Sequence, residues 1–385
     1  MRRMIILILI MFSLFLGLGM WRASGKPLWN DEYFTLLSST LGTSYEKMLS
    51  GHIGEGNNSP LFYFLQKLQC DLFAFHPREN WAQGKWEGED IFAQIFLRIQ
   101  PVIAIAIALC ALFYYFGSRY SLLVGLYSLA VALSSFMLWQ HWTEARPYAL
   151  WLSLSTIQML LLLEILKKGF EDKRSWRFLC GIHCLLALTA SISMIQIVAS
   201  SFVLWVFVYR RCLAHVFMAV IPLMICLFYY FMAPHYDFSF VEGPLALVNA
   251  NIPKDRFFIF FMFIVVFAIQ GFKKREWIQR VELKFFLFTS LMLFFFSALL
   301  IKLKLQAVAV GQGFEVSNRY FMPLTAVGII AAVLFSVYLV QTFQSRLVRF
   351  IIFGVLVGLL AFRMHKIIEF FPLHKNFLPM HHSTP

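Results

Sequence analysis

The sequence predicts an all-α polytopic membrane protein, because it is strongly apolar and repeats long apolar runs along its whole length. Hydrophobic residues make up 60% of the 385 residues and charged residues only 14%, against roughly 45–50% and 25% in soluble domains. A membrane-spanning helix needs about 20 mainly apolar residues. Because such runs recur throughout the chain, we expect one membrane domain over residues 1–362 with about eleven transmembrane helices.

The first span is predicted directly after Arg2 and Arg3, where an apolar run continues to Met20. A basic start followed by an apolar run is also typical of a signal peptide. However, residues 21–25 lack a clean small-x-small cleavage sequence, and the run is long enough to cross a bilayer. We therefore expect an uncleaved first helix.

The remaining spans follow from the positions of the other apolar runs. Several are short, so a merged pair or a re-entrant segment near Ser191–Met194 stays open, provided protein or water covers its backbone. The predicted spans are 99–116, 121–138, 148–166, 178–191, 195–209, 214–232, 257–271, 285–301, 320–340 and 349–362.

The orientation follows from the basic residues in the short connections, which cluster on the side of the N-terminus. These are Arg119, the cluster 167–177, Arg210 and Arg211, the cluster 273–284, Arg346 and Arg349. Positive residues favour the cytoplasmic side, which also accounts for the net charge of +13 without a nucleic-acid partner. We expect a cytoplasmic N-terminus. The segments 22–97, 139–147, 233–256, 302–319 and the short tail 363–385 are then extracytoplasmic.

The first outer loop, residues 22–97, is long, and long irregular loops are usually functional. Asn30 is a candidate N-cap for a helix through Leu41 that ends at Gly42. Ser59 and Pro60 open a second helix, predicted over 61–75. Neither helix is long enough to cross a membrane, so both are predicted as short amphipathic helices on the membrane surface or docked on the spans.

Two adjacent carboxylates, Asp31 and Glu32, lie a few residues after the first span. A purely structural interpretation is available, since acidic residues are favoured in the first turn of a helix. A functional interpretation follows from their position. Carboxylates close to the hydrocarbon can be desolvated, and desolvation tunes a carboxylate as a general base or a metal ligand.

Two arginine-containing motifs precede later spans on the same predicted face. One contains Glu144, Arg146 and Tyr148, and the other contains Arg319 and Tyr320. An interfacial Glu–Arg pair and a snorkelling arginine would explain them structurally. A planar guanidinium also suits the oxygens of an anionic lipid headgroup, so both motifs are candidate phosphate sites.

The order and spacing of these motifs resemble the polyprenyl-phosphate-sugar-dependent glycosyltransferases of the GT-C superfamily. The likeness is greatest to the group of protein mannosyltransferases and lipid A aminoarabinose transferases. In much of the family the second motif reads like His-Pro-Pro, whereas Asn58 and Ser59 precede Pro60 here. A histidine near the site would therefore come from elsewhere, for example from His52. The matching segments are 29–35, 59–65, 144–150 and 318–323.

The resemblance implies a transfer reaction on the extracytoplasmic face. Asp31 would be the general base, and Glu32 would assist by hydrogen bonding or, as in some members, by helping to hold a divalent cation. The donor would be a sugar on a polyprenyl phosphate, transferred with inversion to a glycan, lipid or protein acceptor. The residues expected to bind substrate are Ser59, Glu144, Arg146, Tyr148, Arg319 and Tyr320. A transporter or flippase of lipid-linked saccharides, and a non-catalytic GT-C-like scaffold, are the alternatives.

Overall fold

A computed structural model describes residues 2–54, 59–77, 91–208, 214–232, 249, 251–274, 280–309 and 318–371. The regular elements of these residues are helices, which confirms the predicted fold class. After α1 (Arg2–Ser24), the first loop contributes α2 (Asn30–Phe34), α3 (Tyr45–Leu49) and α4 (Leu61–Leu72). The bundle continues with α5 (Ile91–Arg119), α6 (Leu122–Leu133), α7 (Phe136–His141), α8 (Tyr148–Lys168), α9 (Lys173–Ala187) and α10 (Met194–Phe207). It ends with α11 (Ala214–Met232), α12 (Lys254–Lys274), α13 (Val281–Ala309), α14 (Met322–Thr342) and α15 (Arg346–Phe370).

Each of the eleven predicted spans overlaps one of these helices. Helices α1, α5, α8, α13, α14 and α15 contain segments that are long and apolar enough to cross a membrane. The prediction was wrong over 121–138, where α6 ends at Leu133 and the short α7 follows. The break lies at two serines: Ser134 donates from its hydroxyl to the Val131 carbonyl, and Ser135 adopts an extended backbone. At the other end of the chain, α15 continues to Phe370, beyond the predicted end at 362.

Helix α14 lies at the centre of the bundle, and nearly every one of its side chains is buried. It packs against α6, α8, α12 and α13. At the contact with α12, the rings of Phe263 and Phe335 stack with centroids 4.0 Å apart. By contrast, α1 and α15 expose rows of apolar side chains such as Leu14 and Phe350, as helices that face lipid do. Van der Waals packing of this kind is what holds helices together where lipid replaces water.

Helix α8 separates two charged regions of the bundle. At its C-terminal end, Glu164 pairs with Arg119 and with Lys168, whose Nζ lies 2.7 Å from Glu164 Oε1. The N-terminal end begins at Tyr148, 20 residues before Lys168. With a rise of 1.5 Å per residue, the two ends are roughly 30 Å apart, which is the thickness of a bilayer core. The basic region therefore lies at the opposite end of the bundle from Tyr148.

The helices of the first loop dock on the bundle. Helix α2 is capped by Trp29, one residue before the predicted Asn30. The helix continues in wider π-type turns over Thr35–Leu41 and stops at Gly42, as predicted. Helix α4 ends at Leu72 rather than at residue 75.

The start of α4 covers the connection between α9 and α10. The Ser59 amide donates to the Thr189 carbonyl at 3.2 Å, and the Leu61 amide donates to the Leu188 carbonyl at 2.8 Å. Helices α9 and α10 contain 15 and 14 residues, so each spans only roughly 21–23 Å of a core about 30 Å thick. Carbonyl groups between these two short helices thus accept hydrogen bonds from α4 and its N-terminal flank, so they are not left without donors in lipid.

Candidate functional site

Asp31 lies in the first turn of α2 and joins two arginines from distant parts of the chain. Its Oδ2 accepts hydrogen bonds from Nη1 of Arg146 and from Nη1 of Arg319, the latter at 2.5 Å. The Asp31 side chain is 34% exposed, whereas those of Arg146 and Arg319 are 6% and 18% exposed. Three motifs that are far apart in sequence thus meet at one end of the bundle. We call these three residues the Asp31 cluster.

The Asp31 cluster carries two positive charges and one negative charge in a half-buried setting. Nε of Arg319 is buried and has no hydrogen-bond acceptor among the described residues. Charges at the edge of a low-dielectric region interact more strongly than charges in water. The cluster therefore retains a net positive charge that can attract a further anionic group.

Two tyrosines form an aromatic wall beside the guanidinium groups. Cζ of Arg146 lies 5.1 Å from the Tyr148 ring centroid, and Cζ of Arg319 lies 5.7 Å from the same ring. The rings of Tyr148 and Tyr320 meet edge to face with centroids 6.2 Å apart. Cation–π contacts of this kind hold a guanidinium in place without using its N–H donors. The two rings therefore do not occupy the N–H donors of these guanidinium groups.

Glu144 lies behind Arg146 and pairs with a histidine to which the sequence alone gave no role. Its carboxylate accepts a hydrogen bond from Nδ1 of His141, and both side chains are buried. Burial by itself would raise the pKa of Glu144, but His141 and Arg146 outweigh it and lower the pKa to about 2. Burial lowers the pKa of His141, although the neighbouring Glu144 carboxylate acts in the opposite direction. The i, i+3 spacing of His141 and Glu144 is the sequence signal that would have revealed this pair.

Glu32 faces away from the exposed side of the Asp31 cluster. Its side chain is fully buried and forms an ion pair with Arg98, with Nη2 of Arg98 2.5 Å from Oε2 and Nε 2.8 Å from Oε1. Glu32 also accepts hydrogen bonds from the amides of Trp29 and Ala145, at 3.2 Å and 2.7 Å. Arg98 was not identified from the sequence. A cation within the first turns of an otherwise apolar helix was the available signal.

These contacts do not suit a divalent cation held by Asp31 and Glu32. Both oxygens of Glu32 are already hydrogen-bonded, and Oδ2 of Asp31 is shared by two cations. In the part of the chain that the structure describes, His, Cys, Asp and Glu side chains form no group of three or more that could hold a metal ion. The metal site stays a prediction, and the reaction proposed below does not require one.

Ser59 and His52 lie apart from these charges. Ser59 docks α4 through its backbone amide, and its buried hydroxyl has no hydrogen-bond partner among the described residues. His52 contacts the Ser50 hydroxyl through Nδ1 at 3.1 Å on an exposed turn. The substrate role of Ser59 therefore stays a prediction. The histidine next to the Asp31 cluster is His141 rather than His52.

The bundle, with short helices of its first loop docked beside an Asp–Arg cluster, resembles the fold of a membrane protein of known structure. The structure is similar to the crystal structure of ArnT from Cupriavidus metallidurans in the apo state, a lipid A aminoarabinose transferase. The TM-score is 0.56 at 10% sequence identity, and the match covers 94% of this chain and 75% of ArnT. No family model and no curated protein sequence matches the chain. The similarity therefore shows the fold.

Proposed function

We propose that this protein transfers a sugar from a polyprenyl-phosphate donor to an acceptor hydroxyl or amine, with Asp31 as the general base. The observation that supports this most strongly is the Asp31 cluster itself. One half-exposed carboxylate lies between two guanidinium groups that come from different parts of the bundle. The fold, shared with ArnT, is consistent with a lipid-linked donor.

The two arginines are suited to the phosphate of the donor. As the bond between the sugar and the phosphate breaks, negative charge grows on the leaving phosphate. Cations that are already oriented at a low-dielectric boundary stabilise that charge better than water does. Each guanidinium has five N–H donors, of which Arg146 and Arg319 each direct one at Oδ2 of Asp31. A phosphate would compete with Asp31 for these donors.

Asp31 is suited to accept the proton of the acceptor. An acceptor hydroxyl is a weak nucleophile at neutral pH, and a carboxylate within hydrogen-bond reach assists its deprotonation during attack. The new bond joins the acceptor oxygen or nitrogen to the anomeric carbon, the bond to phosphate breaks, and the proton passes to Asp31. Inversion requires base and leaving group on opposite sides of the anomeric carbon, so the guanidinium groups must part from Asp31 as they bind the donor phosphate. Polyprenyl phosphate is released with the electron pair.

The remaining predicted site residues take supporting roles in this proposal. Tyr148 is fully buried and contacts both guanidinium groups, whereas the partly exposed Tyr320 contacts Arg319 and offers aromatic surface to the sugar. The Glu144 carbonyl accepts the Arg146 amide at 2.7 Å, and the Glu144 carboxylate places a negative charge near Arg146. We place the reaction on the extracytoplasmic face of a bacterial inner membrane, because the basic end of α8 is the opposite one. The polyprenyl tail then stays in lipid while its headgroup reaches the Asp31 cluster.

The test uses the purified full chain in lipid nanodiscs with a panel of polyprenyl-phosphate sugars and membrane acceptors. We expect transfer with at least one donor, and a decrease of about 10²–10⁴-fold in Asp31→Asn, because this is the usual contribution of a general base. Asp71→Asn is the matched control, since Asp71 lies on α4 and its carboxylate accepts a hydrogen bond from the Tyr45 hydroxyl at 2.6 Å. Equal transfer by wild type and Asp31→Asn would refute the assignment.

A further inference from the structure

Arg98 is a buried cation whose hydrogen-bonding capacity is saturated. Its side chain is fully buried on α5, and it has five N–H donors. Two of them reach the two oxygens of Glu32. The other three reach the carbonyls of Ala23, Lys26 and Pro27, with distances of 3.0 Å to Ala23 and 2.9 Å to Pro27. Arg98 thereby fixes the chain between the end of α1 and the start of α2.

Glu32 extends this network to the segment before α8. Beyond Arg98, its carboxylate accepts the amide of Trp29 at the start of α2 and the amide of Ala145. Asp31 and Arg146 are the direct chain neighbours of Glu32 and Ala145. One buried ion pair, the Arg98–Glu32 clamp, thus holds the backbone on both sides of the Asp31–Arg146 contact.

We propose that Arg98 is a positioning residue for the transfer reaction, acting through Glu32 to set the distance between Asp31 and Arg146. This inference rests on the proposed function. Catalytic groups must be held within about 0.5 Å of their productive geometry by neighbours that are themselves fixed. The clamp meets this requirement, because every donor of Arg98 is engaged and Glu32 reaches both segments.

The five hydrogen bonds of Arg98 require the planar guanidinium group of an arginine. A lysine keeps the positive charge but replaces five fixed donors with three on a single nitrogen, so it cannot reach Glu32 and three carbonyls together. Arg98→Lys therefore keeps the charge balance and removes the positioning. Glu32→Gln is a second variant, which keeps an acceptor for Ala145 but weakens the pair with Arg98.

The kinetic test compares Arg98→Lys in the wild-type and Asp31→Asn backgrounds. In the wild-type background we expect kcat to fall at least tenfold, because small misplacements of reacting groups cost up to about 10²-fold. In the Asp31→Asn background we expect no further decrease, since residues that act as one unit are not additive. An equal decrease in both backgrounds would overturn the proposal. Arg119→Lys, at the opposite end of the bundle, is the matched control.

A second test does not depend on transfer activity. Cysteines replace Asp31 and Arg146 in a protein whose native cysteines are removed, and a short bifunctional thiol reagent reports their separation. We expect Arg98→Lys or Glu32→Gln to slow cross-linking at least tenfold and Arg119→Lys to leave it unchanged. Unchanged cross-linking in both clamp variants would overturn the positioning role. Absence of transfer in the wild type would instead overturn the proposed function.

Discussion

Two neighbouring carboxylates, Asp31 and Glu32, belong to ion-pair clusters that differ in exposure and in the number of unused hydrogen-bond donors. Asp31 is 34% exposed and shares one oxygen between two arginines, and the Nε of Arg319 still lacks an acceptor within the described part of the chain. Glu32 is fully buried with Arg98, whose five donors are all engaged. A cluster with open access and spare donors can exchange partners with a substrate. A saturated buried cluster can only hold the backbone.

The two clusters should therefore respond differently to mutation. Asp31 is 34% exposed, so solvent partly screens its ion pairs and reduces their contribution to stability. Removing one partner of a buried pair is far more costly, because the remaining charge stays buried without compensation. Changes in the Asp31 cluster should act mainly on transfer, and changes in the Arg98–Glu32 clamp should act on stability as well.

The largest stability effect is expected from Glu32→Ala. The substitution leaves the Arg98 charge buried, and we expect the free energy of unfolding to fall by about 3–5 kcal/mol. The measurement is reversible denaturation in mixed micelles, with Asp31→Ala as the partner variant. If Glu32→Ala and Asp31→Ala destabilise the protein equally, the contrast between the two clusters is wrong.

A smaller effect is expected from Arg319→Lys. Lysine keeps the charge but loses the fork, and one hydrogen bond to a charged group is worth about 1.5–3 kcal/mol. We expect the KM for the donor to rise roughly tenfold or more, with little change in the unfolding midpoint. Initial rates over a range of donor concentrations measure this. A loss of stability without a change in KM would show that Arg319 stabilises the fold and does not bind the donor.

His141 should contribute to the pH dependence of the free energy of unfolding. Burial lowers the pKa of His141 in the folded state, so its stabilising contribution is complete above the unfolded pKa of about 6.5 and is lost as pH falls below it. His141→Asn should make the decline below that pH shallower, by at most about 1.4 kcal/mol per pH unit.

Glu144 affects stability in a lower pH range than His141, because its pKa in the folded state is lowered to about 2. Its contribution is complete above its unfolded pKa of about 4.3 and is lost as pH falls through the folded value. Thermal unfolding between pH 5 and about 7.5 therefore separates the contribution of His141 from that of Glu144. An unchanged slope in His141→Asn would show that this ring does not titrate on unfolding.

The smallest effect is expected at the basic end of α8. Lys168 is 45% exposed on its side chain and pairs with Glu164 and Asp172. Because exposed pairs contribute about 0–1 kcal/mol, Lys168→Ala should change stability by about 0.5 kcal/mol and leave transfer unchanged. Unfolding and transfer assays on the same preparation check both values. A large loss of transfer would argue that the two ends of the bundle are coupled.

The sequence was sufficient to predict the long apolar helices and to single out the three residues of the Asp31 cluster. Long apolar runs locate membrane helices well, because each helix satisfies its own backbone hydrogen bonds in lipid. The break between α6 and α7 was missed because apolar residues continue through Ser134 and Ser135, whose local hydrogen bonds end the helix. A hydropathy pattern does not register such bonds.

The sequence could not predict that Asp31 and Glu32 contact different arginines. Neighbouring residues in a helical turn point in different directions, so the same two carboxylates reach different partners. Those partners, Arg98, Arg146 and Arg319, lie between 66 and 288 residues away. Only tertiary packing decides that Glu32 meets Arg98 and that Asp31 meets the other two arginines.

Binding of polyprenyl phosphate to Asp31→Asn, measured alongside sugar transfer, tests most directly whether Asp31 and the donor phosphate share the two arginines. Removing the carboxylate removes a competitor for Arg146 and Arg319. We expect the variant to bind polyprenyl phosphate at least as tightly as the wild type while its transfer falls by about 10²–10⁴-fold. Weaker binding in Asp31→Asn, or transfer equal to that of the wild type, would contradict this mechanism.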